Sequence, residues 1–331
     1  MLVRTENLTK LFPVGLSLLR RPRHYVHAVN SVSFDVRSKE ILGLAGESGC
    51  GKTTTGRLLL RLTEATSGAV YYRGVNIFDL KYLEMLRLRH KMQAIFQDPF
   101  ESLNPRMRIF DIVNETNRIH KLASNRVEAE EMIHNILEAV GLSPPKNFYN
   151  LFPHELSGGQ RQRVAIARIM LLKPEFVVAD EPVSMLDASV RAEVLNLMLD
   201  LRRRFGLTYL FITHDLALAR HLCDRIAVMY LGNIVETGNT EEIVYKPLHP
   251  YTMALISAVP KPDPKDLIDV SLTGEVPSAI SPPLGCKFHP RCPYQRDLCQ
   301  VHEPKLIEFK REHYVACHRV DQIRTSLGLS E

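Results

Sequence analysis

A glycine-rich stretch near the N-terminus has the residue types and spacing of a phosphate-binding loop. Residues 46–53 have the sequence GESGCGKT, which fits the pattern G-x-x-x-x-G-K-[ST]. The stretch follows the apolar run 41–44 and precedes residues 54–62, which are predicted to be helical. Glycines let successive backbone N–H groups turn inward around an anion, and the start of the helix presents its positive end there. A turn that only connects strand to helix is the alternative.

Two side chains of this stretch carry chemistry of their own. Lys52 offers a mobile positive charge to the outer phosphates of a nucleotide, and Thr53 offers a hydroxyl to Mg²⁺. Cys50 is expected to contribute its backbone rather than its thiol. The candidate nucleotide contacts in the loop are Gly46, Ser48, Gly49, Cys50, Gly51, Lys52, Thr53 and Thr54.

An acidic pair follows a short apolar run farther along the chain. Residues 176–179 are predicted to form a buried strand, and Asp180 and Glu181 come directly after it. In open α/β sheets, ligands gather at the carboxyl ends of the strands. Asp180 is therefore a candidate ligand of Mg²⁺, and Glu181 is a candidate general base toward an attacking water. An acidic strand end without a catalytic role is the alternative.

Gln97 and His214 each follow a predicted strand. Gln97 is a candidate for coordinating Mg²⁺ or positioning the attacking water. His214 is a candidate for contacting the γ-phosphate or orienting Glu181 and the water. A lone residue of either type at a strand end is more often structural, so both assignments depend on the motifs around them.

Residues 156–160, with the sequence LSGGQ, begin a predicted helix. Ser157 and Gln160 have the S-x-x-Q spacing of a capping box. Gly158 and Gly159 expose the backbone, so this helix start is a second candidate anion site. An ordinary helix cap is the alternative.

Alternating strands and helices must position these residues. Such alternation implies a mainly parallel sheet covered on both faces. Residues 105–143 are predicted to be a mostly helical insert, and the proline- and arginine-containing residues between strands 1–10 and 31–37 are predicted to be irregular. The other predicted strands include 69–72, 92–96, 176–179, 210–212 and 226–230, and the predicted helices include 80–90, 157–172, 188–204 and 215–222.

Taken in chain order, these motifs resemble the ATP-binding cassette (ABC) family. The resemblance covers about residues 1–259, and LSGGQ is its most specific mark. It implies an α/β P-loop NTPase cassette with a mainly parallel sheet, an antiparallel β part and a helical insert at about 98–172. It also implies ATP and Mg²⁺ as ligands, with Thr53, Gln97 and Asp180 around the metal.

The same resemblance implies a head-to-tail pair of cassettes with two ATP molecules between them. Each nucleotide would meet the phosphate loop of one subunit and residues Ser157–Gln160 of the other. Residues 184–187, with the sequence SMLD, match the family's loop for communication between the halves, with Asp187 as a nucleotide-site residue and Met185 where alanine is usual. Phe12 matches the adenine-stacking aromatic in position, although a core phenylalanine is the alternative.

Two further stretches are similar to the ATPases of dipeptide and oligopeptide importers. They are residues 97–107 and residues 249–255, the latter preceding a proline-rich linker. The run through 104–107 looks more like the F-type subunit than the D-type one. The resemblance implies a second, D-type ATPase as heterodimer partner, two transmembrane permease subunits and an extracytoplasmic substrate-binding protein. Some relatives carry nickel or oligosaccharides instead of peptides. The remaining residues, 260–331, are expected to be the linker and a C-terminal region of the importer type.

Four of the six cysteines lie in this C-terminal region: Cys286, Cys292, Cys299 and Cys317. In a reducing compartment, such clustering suggests a metal rather than disulfides. In related importer ATPases a tail of this kind binds a [4Fe-4S] cluster, which thiolate ligands suit. Zinc and unmetallated thiols are the alternatives, although zinc sites more often have closer cysteine spacing.

Composition sets the remaining limits. The chain has 331 residues, of which 45% are hydrophobic and 24% charged, as in a soluble globular protein, and its net charge of +5 does not indicate nucleic acid. The sequence shows neither a signal peptide nor an apolar run long enough to span a bilayer. We therefore expect a peripheral protein on the cytoplasmic face of the membrane, held there by its partners.

The sequence argues against two other functions. An ABC ATPase acting on nucleic acid would usually carry two cassettes or a very long coiled-coil insert, and the sequence has neither. A metal-binding interaction module with incidental turnover is disfavoured by the complete set of catalytic motifs. We predict no nucleic-acid partner.

Overall fold

The computed structural model describes residues 1–16, 22–98, 102–258 and 274–326. The chain divides into two compact units, one of Met1–Asp79 with Phe211–Glu331 and the other of Leu80–Leu210. The predicted domain boundary at residue 259 lies outside the described residues, as do the first three prolines of the linker.

Strands and helices alternate through much of the described chain. The strands are β1 (Val3–Leu16), β2 (Pro22–Val32), β3 (Asp35–Val36), β4 (Ile41–Ala45), β5 (Ser67–Tyr72), β6 (Val75–Asn76), β7 (Met92–Ile95), β8 (Phe176–Asp180), β9 (Thr208–Thr213), β10 (Arg225–Tyr230), β11 (Asn233–Asn239), β12 (Ile307–Lys310) and β13 (His313–Val315). The α-helices are α1 (Lys52–Leu59), α2 (Tyr82–Arg89), α3 (Ile109–His120), α4 (Arg126–Ala139), α5 (Gly158–Met170), α6 (Ala188–Phe205), α7 (Leu216–Leu222), α8 (Thr240–Tyr245), α9 (Pro250–Ser257), α10 (Asp297–Val301) and α11 (Val320–Ser326).

The first unit is built around β4, whose five residues are all buried. β4 pairs in parallel with β10, which is also buried along its length. Continuous apolar runs of this kind belong to strands covered on both faces. β10 pairs antiparallel with β11, β11 with β13 and β13 with β12, so the C-terminal region adds strands to the same sheet.

A separate antiparallel sheet contains β1, β2, β3, β5 and β6. The prediction of irregular structure between residues 10 and 31 was wrong for the described part, because β1 and β2 form a long hairpin in which Pro13 pairs with Tyr25. At Pro13, β1 pairs with β2 alone, since its pairing with β5 ends at Thr9, and proline is tolerated where a strand is paired on one side only. Arg20 and Arg21, two of the arginines of this segment, lie outside the described residues.

The second unit contains the parallel pair β7 and β8, in register from Met92 with Phe176 to Ile95 with Ala179. Helices α3, α4 and α5 follow within the predicted insert. The Asn125 side chain accepts the Glu128 N–H at 2.9 Å and so caps α4, and Gly141, with φ of 76°, lies just past its C-terminal end. Among the described residues, none of the helices combines the length and the apolar character needed to cross a membrane.

Candidate functional site

The predicted phosphate loop lies between β4 and α1. Gly46 and Gly51 have φ angles of 154° and 107°, a region that side chains disfavour. A Cβ on Gly46 would lie 2.2 Å from the carbonyl oxygen of Met229 in β10, and one on Gly51 would lie 2.1 Å from that of Ala28 in β2. Neighbouring backbone therefore restricts both positions to glycine.

Lys52 lies at the centre of this loop. Its side chain is 5% exposed. Its Nζ donates to the carbonyl oxygens of Gly46 at 2.8 Å and Glu47 at 2.9 Å. The buried ammonium and the N-terminal end of α1 both favour an anion at the loop.

The remaining residues of the phosphate loop range from exposed to buried. Ser48, Gly49 and Thr53 are exposed, and Thr54 is half-buried. Cys50 is buried, and burial raises the pKa of its thiol, with Lys52 opposing the shift. The protonated, enclosed thiol is a poor nucleophile.

Two residues far away in the sequence contact the loop at Glu47. The hydroxyl of Tyr251, in α9, accepts the backbone N–H of Glu47 at 2.8 Å. Arg291, in the C-terminal region, donates two hydrogen bonds to the Glu47 carboxylate, and these bonds raise the pKa of Arg291. Sequence analysis did not identify either contact, and nothing in the local pattern indicates them.

The second unit holds the predicted acidic pair. Asp180 is the last residue of β8, and Glu181 follows it. Gln97 follows β7, the parallel neighbour of β8, and its Nε2 donates to Glu181 Oε2 at 3.2 Å. The structure thus brings Gln97 and Glu181 together at adjoining strand ends, where a carboxylate and an amide can orient a water.

The capping box at the start of α5 has formed as the spacing indicated. Ser157 Oγ accepts the Gln160 N–H at 3.3 Å, and Gln160 Oε1 accepts the Ser157 N–H at 3.0 Å. Ser157 is exposed, Gly158 is half-buried and Gly159 is buried, and a helix N-terminus of this kind favours an anion.

Gly159, in the first turn of α5, contacts the first turn of α6. A Cβ on Gly159 would lie 2.4 Å from Cγ1 of Val190, and one on Gly158 would lie 3.0 Å from Leu186. The two glycines therefore let α5 begin directly against the segment that contains Asp187.

We expect Gly159→Ala to lower ATPase activity about tenfold, an effect of ~1.4 kcal/mol on the barrier. The added methyl must push Val190 or the start of α5 aside, although alanine favours the helix itself. Adding Val190→Ala should restore most of the activity by making room. Steady-state phosphate release by the two variants checks this, and a double variant no better than the single one would contradict it.

Three further predicted residues are placed as follows. Asp187 is exposed at the N-cap position of α6, two residues after Met185, which is 63% exposed. His214 is exposed directly after β9. Phe12 lies within β1 rather than after it, is 38% exposed, and has Lys10 Nζ 4.9 Å from its ring centroid.

The four C-terminal cysteines line one small cavity. Cys286, Cys292, Cys299 and Cys317 share it with Tyr294 and other residues, and all four are free thiols. Burial raises the pKa of Cys292 to about 11 and that of Cys317 to about 12. Cys317 packs against buried apolar side chains of two clusters, among them Met253 and Val315.

No three His, Cys, Asp or Glu side chains in the described ranges are grouped so as to hold a single metal ion. A tetrahedral zinc site needs its sulfurs within about 2.3 Å of one centre. All four thiols nevertheless line the same cavity.

Comparison with known proteins gives consistent matches. Residues 29–184 match the ABC transporter family, and residues 235–299 match the oligopeptide/dipeptide transporter C-terminal region. The chain is 44% identical over 321 residues to the oligopeptide transport ATP-binding protein AppF of Bacillus subtilis, covering 96% of this chain and 97% of that protein. It is 46% identical over 318 residues to the probable peptide ABC transporter ATP-binding protein y4tS of Sinorhizobium fredii, covering 96% and 89%.

A solved structure has the same fold. It is the dimeric post-hydrolysis state of the ATP-binding cassette MJ0796 bound to ADP and Pi. The TM-score is 0.63 and the sequence identity is 28%, and the match covers 72% of this chain and 98% of the MJ0796 chain. This likeness confirms the predicted cassette fold.

Proposed function

Because the chain belongs to the ABC transporter family of ATP-binding proteins, we propose that its ATP hydrolysis powers an importer for di- and oligopeptides. ATP binding and hydrolysis are the activity of the family. The cargo class is supported by one observation above all, the match of residues 235–299 to the oligopeptide/dipeptide transporter C-terminal region. AppF, which is similar along almost the whole chain, is named as an oligopeptide transport protein.

We assign the nucleotide-site roles as the resemblance indicates. The loop residues 46–54 hold the phosphates, with Lys52 supplying the charge, and Phe12 stacks on the adenine. Mg²⁺ is held by Thr53, Gln97 and Asp180. The hydrogen bond from Gln97 to Glu181 supports Glu181 as the base toward water, with His214 assisting at the γ-phosphate.

The importer that we propose contains two different ATPase subunits. This F-type chain pairs with a D-type chain, and both attach to two permease subunits that receive cargo from a substrate-binding protein. ATP draws the exposed Ser157 end of α5 and Asp187 of one subunit to the phosphate loop of the other, and hydrolysis releases them. The chain is thereby held peripherally at the cytoplasmic face of the membrane.

Co-purification tests the assembly. Tagged at this chain and extracted in mild detergent, the complex is expected to retain a second ATPase and two membrane subunits. In vesicles with the binding protein, an oligopeptide should stimulate ATP hydrolysis, whereas an oligosaccharide or nickel should not. Recovery of the chain with DNA or ribosomes in place of membrane subunits would overturn the proposal.

We also propose that the four cysteines hold a [4Fe-4S] cluster. Four cysteine thiols, the usual ligands of such a cluster, line one cavity with apolar side chains packed around it, and this supports the proposal. When bound, the cluster would supply four iron–thiolate bonds that hold the C-terminal region together. Its role is structural, because the sequence shows no redox partner.

Anaerobic purification tests the metal. We expect about four iron and four sulfide per chain, with broad absorbance in the visible range, as for a cysteine-ligated cluster. Cys299→Ser should lose most of that iron, whereas Cys223→Ser, outside the cavity, should keep it. Stoichiometric zinc without iron after anaerobic reconstitution would contradict the proposal.

A further inference from the structure

The C-terminal region contacts the phosphate loop through Arg291. This residue ends a short 3-10 turn, His289–Arg291, between Cys286 and Cys292. Its side chain is 6% exposed. Arg291 Nη1 donates to Glu47 Oε2 at 2.8 Å, and Nη2 donates to Glu47 Oε1 at 3.1 Å. The two parallel bonds form the bidentate geometry that guanidinium and carboxylate groups favour.

A buried aromatic cluster holds Arg291 in place. The ring centroids of Tyr230, Tyr251 and Phe288 are 4.7 to 5.5 Å apart, and the Arg291 guanidinium lies 5.9 Å from the Tyr230 centroid. Tyr251 of this cluster also accepts the Glu47 backbone N–H. Both the main chain and the side chain of Glu47 are therefore fixed by residues outside the loop.

The negative charge of Glu47 links its ion pair with Arg291 to the binding of ATP. Glu47 is the second residue of a loop that receives several negative charges when a nucleotide binds. An unpaired carboxylate in that position would repel the phosphates, because like charges disfavour each other strongly where water is partly excluded. A positive partner for Glu47 removes this obstacle.

We propose that Arg291 is a positioning residue for ATP, which neutralises the Glu47 carboxylate and, with Tyr251, fixes the phosphate loop from the C-terminal region. The C-terminal region thus contributes to nucleotide affinity as well as to folding. ATP binding by the isolated subunit does not require cargo or partner subunits. A negative result here would therefore leave the proposed transport function untouched.

The test is the dissociation constant of Mg²⁺–AMP-PNP, measured by calorimetry on the full chain. Arg291→Ala is expected to weaken binding about 10- to 100-fold, as expected when one partner of a buried ion pair is removed. Combining it with Glu47→Gln should recover most of that loss, because no carboxylate then remains unpaired. A merely structural role for Arg291 would show no such recovery.

Arg296→Ala is the matched control, since Arg296 lies between Cys292 and Cys299 and is exposed. It should bind AMP-PNP as the wild type does. Where Arg291→Ala does not fold, Arg291→Gln, which keeps a donor without the charge, should show the same loss and the same recovery with Glu47→Gln. Wild-type affinity for the folded single variant, or no recovery in the double variant, would overturn the proposal.

Discussion

Replacing Glu181 by Gln is expected to lower the rate of ATP hydrolysis about 10²- to 10⁴-fold, the usual contribution of a general base. The amide has nearly the shape of the carboxylate but cannot accept a proton from the attacking water. The proposed phosphate loop is unchanged, so AMP-PNP should bind as tightly as to the wild type. ATP-loaded chains should then remain paired, which gel filtration with ATP and Mg²⁺ would show as a stable dimer with the partner ATPase.

The matched control for this prediction is Glu131→Gln, an exposed glutamate on α4. It should hydrolyse ATP within about twofold of the wild-type rate, since surface substitutions away from special features have small effects. Full turnover by Glu181→Gln would remove Glu181 from the role of base.

Replacing Lys52 by Met is expected to weaken ATP binding strongly. Methionine keeps the unbranched stem but removes the ammonium that now donates to the Gly46 and Glu47 carbonyl oxygens and that would donate to a phosphate. One hydrogen bond between charged groups is worth about 1.5–3 kcal/mol, so affinity for AMP-PNP should fall about 10- to 150-fold. Calorimetric titration of the folded variant measures this fall.

Lys52→Arg separates the charge from the geometry. The planar guanidinium of arginine keeps the positive charge but fits two converging carbonyl oxygens poorly. The affinity of Lys52→Arg for AMP-PNP should therefore lie between the affinities of the wild type and Lys52→Met. Circular dichroism and thermal unfolding confirm that each variant is folded. Wild-type affinity for Lys52→Met would mean that the loop binds phosphates without this side chain.

The features predicted correctly from sequence are those encoded locally. The capping box of Ser157 and Gln160 depends on residues three apart, and the strand, loop and helix around Lys52 depend on adjacent segments. Local signals of this kind need no knowledge of distant contacts. The candidate roles of Lys52, Asp180 and Glu181 followed from their residue types and their positions at the loop and at a strand end, and the family resemblance then joined them into one site.

Two features were missed for identifiable physical reasons. The prolines of the 10–31 segment suggested irregular structure, yet Pro13 is accommodated because β1 pairs only with β2 at that position. The contact between Arg291 and Glu47 joins residues 244 positions apart, and no periodic pattern links them. Only the fold reveals that the tail and the phosphate loop are neighbours.

The backbone of Glu181 has a consequence for protein engineering. Its φ of 46° lies in the left-handed region, which costs a non-glycine residue about 1–2 kcal/mol. Glycine there would relieve the cost and delete the carboxylate in the same step. Screens that reward heat tolerance alone would therefore favour loss of the acid, and a thermostabilised form of this protein must be selected for turnover at the same time.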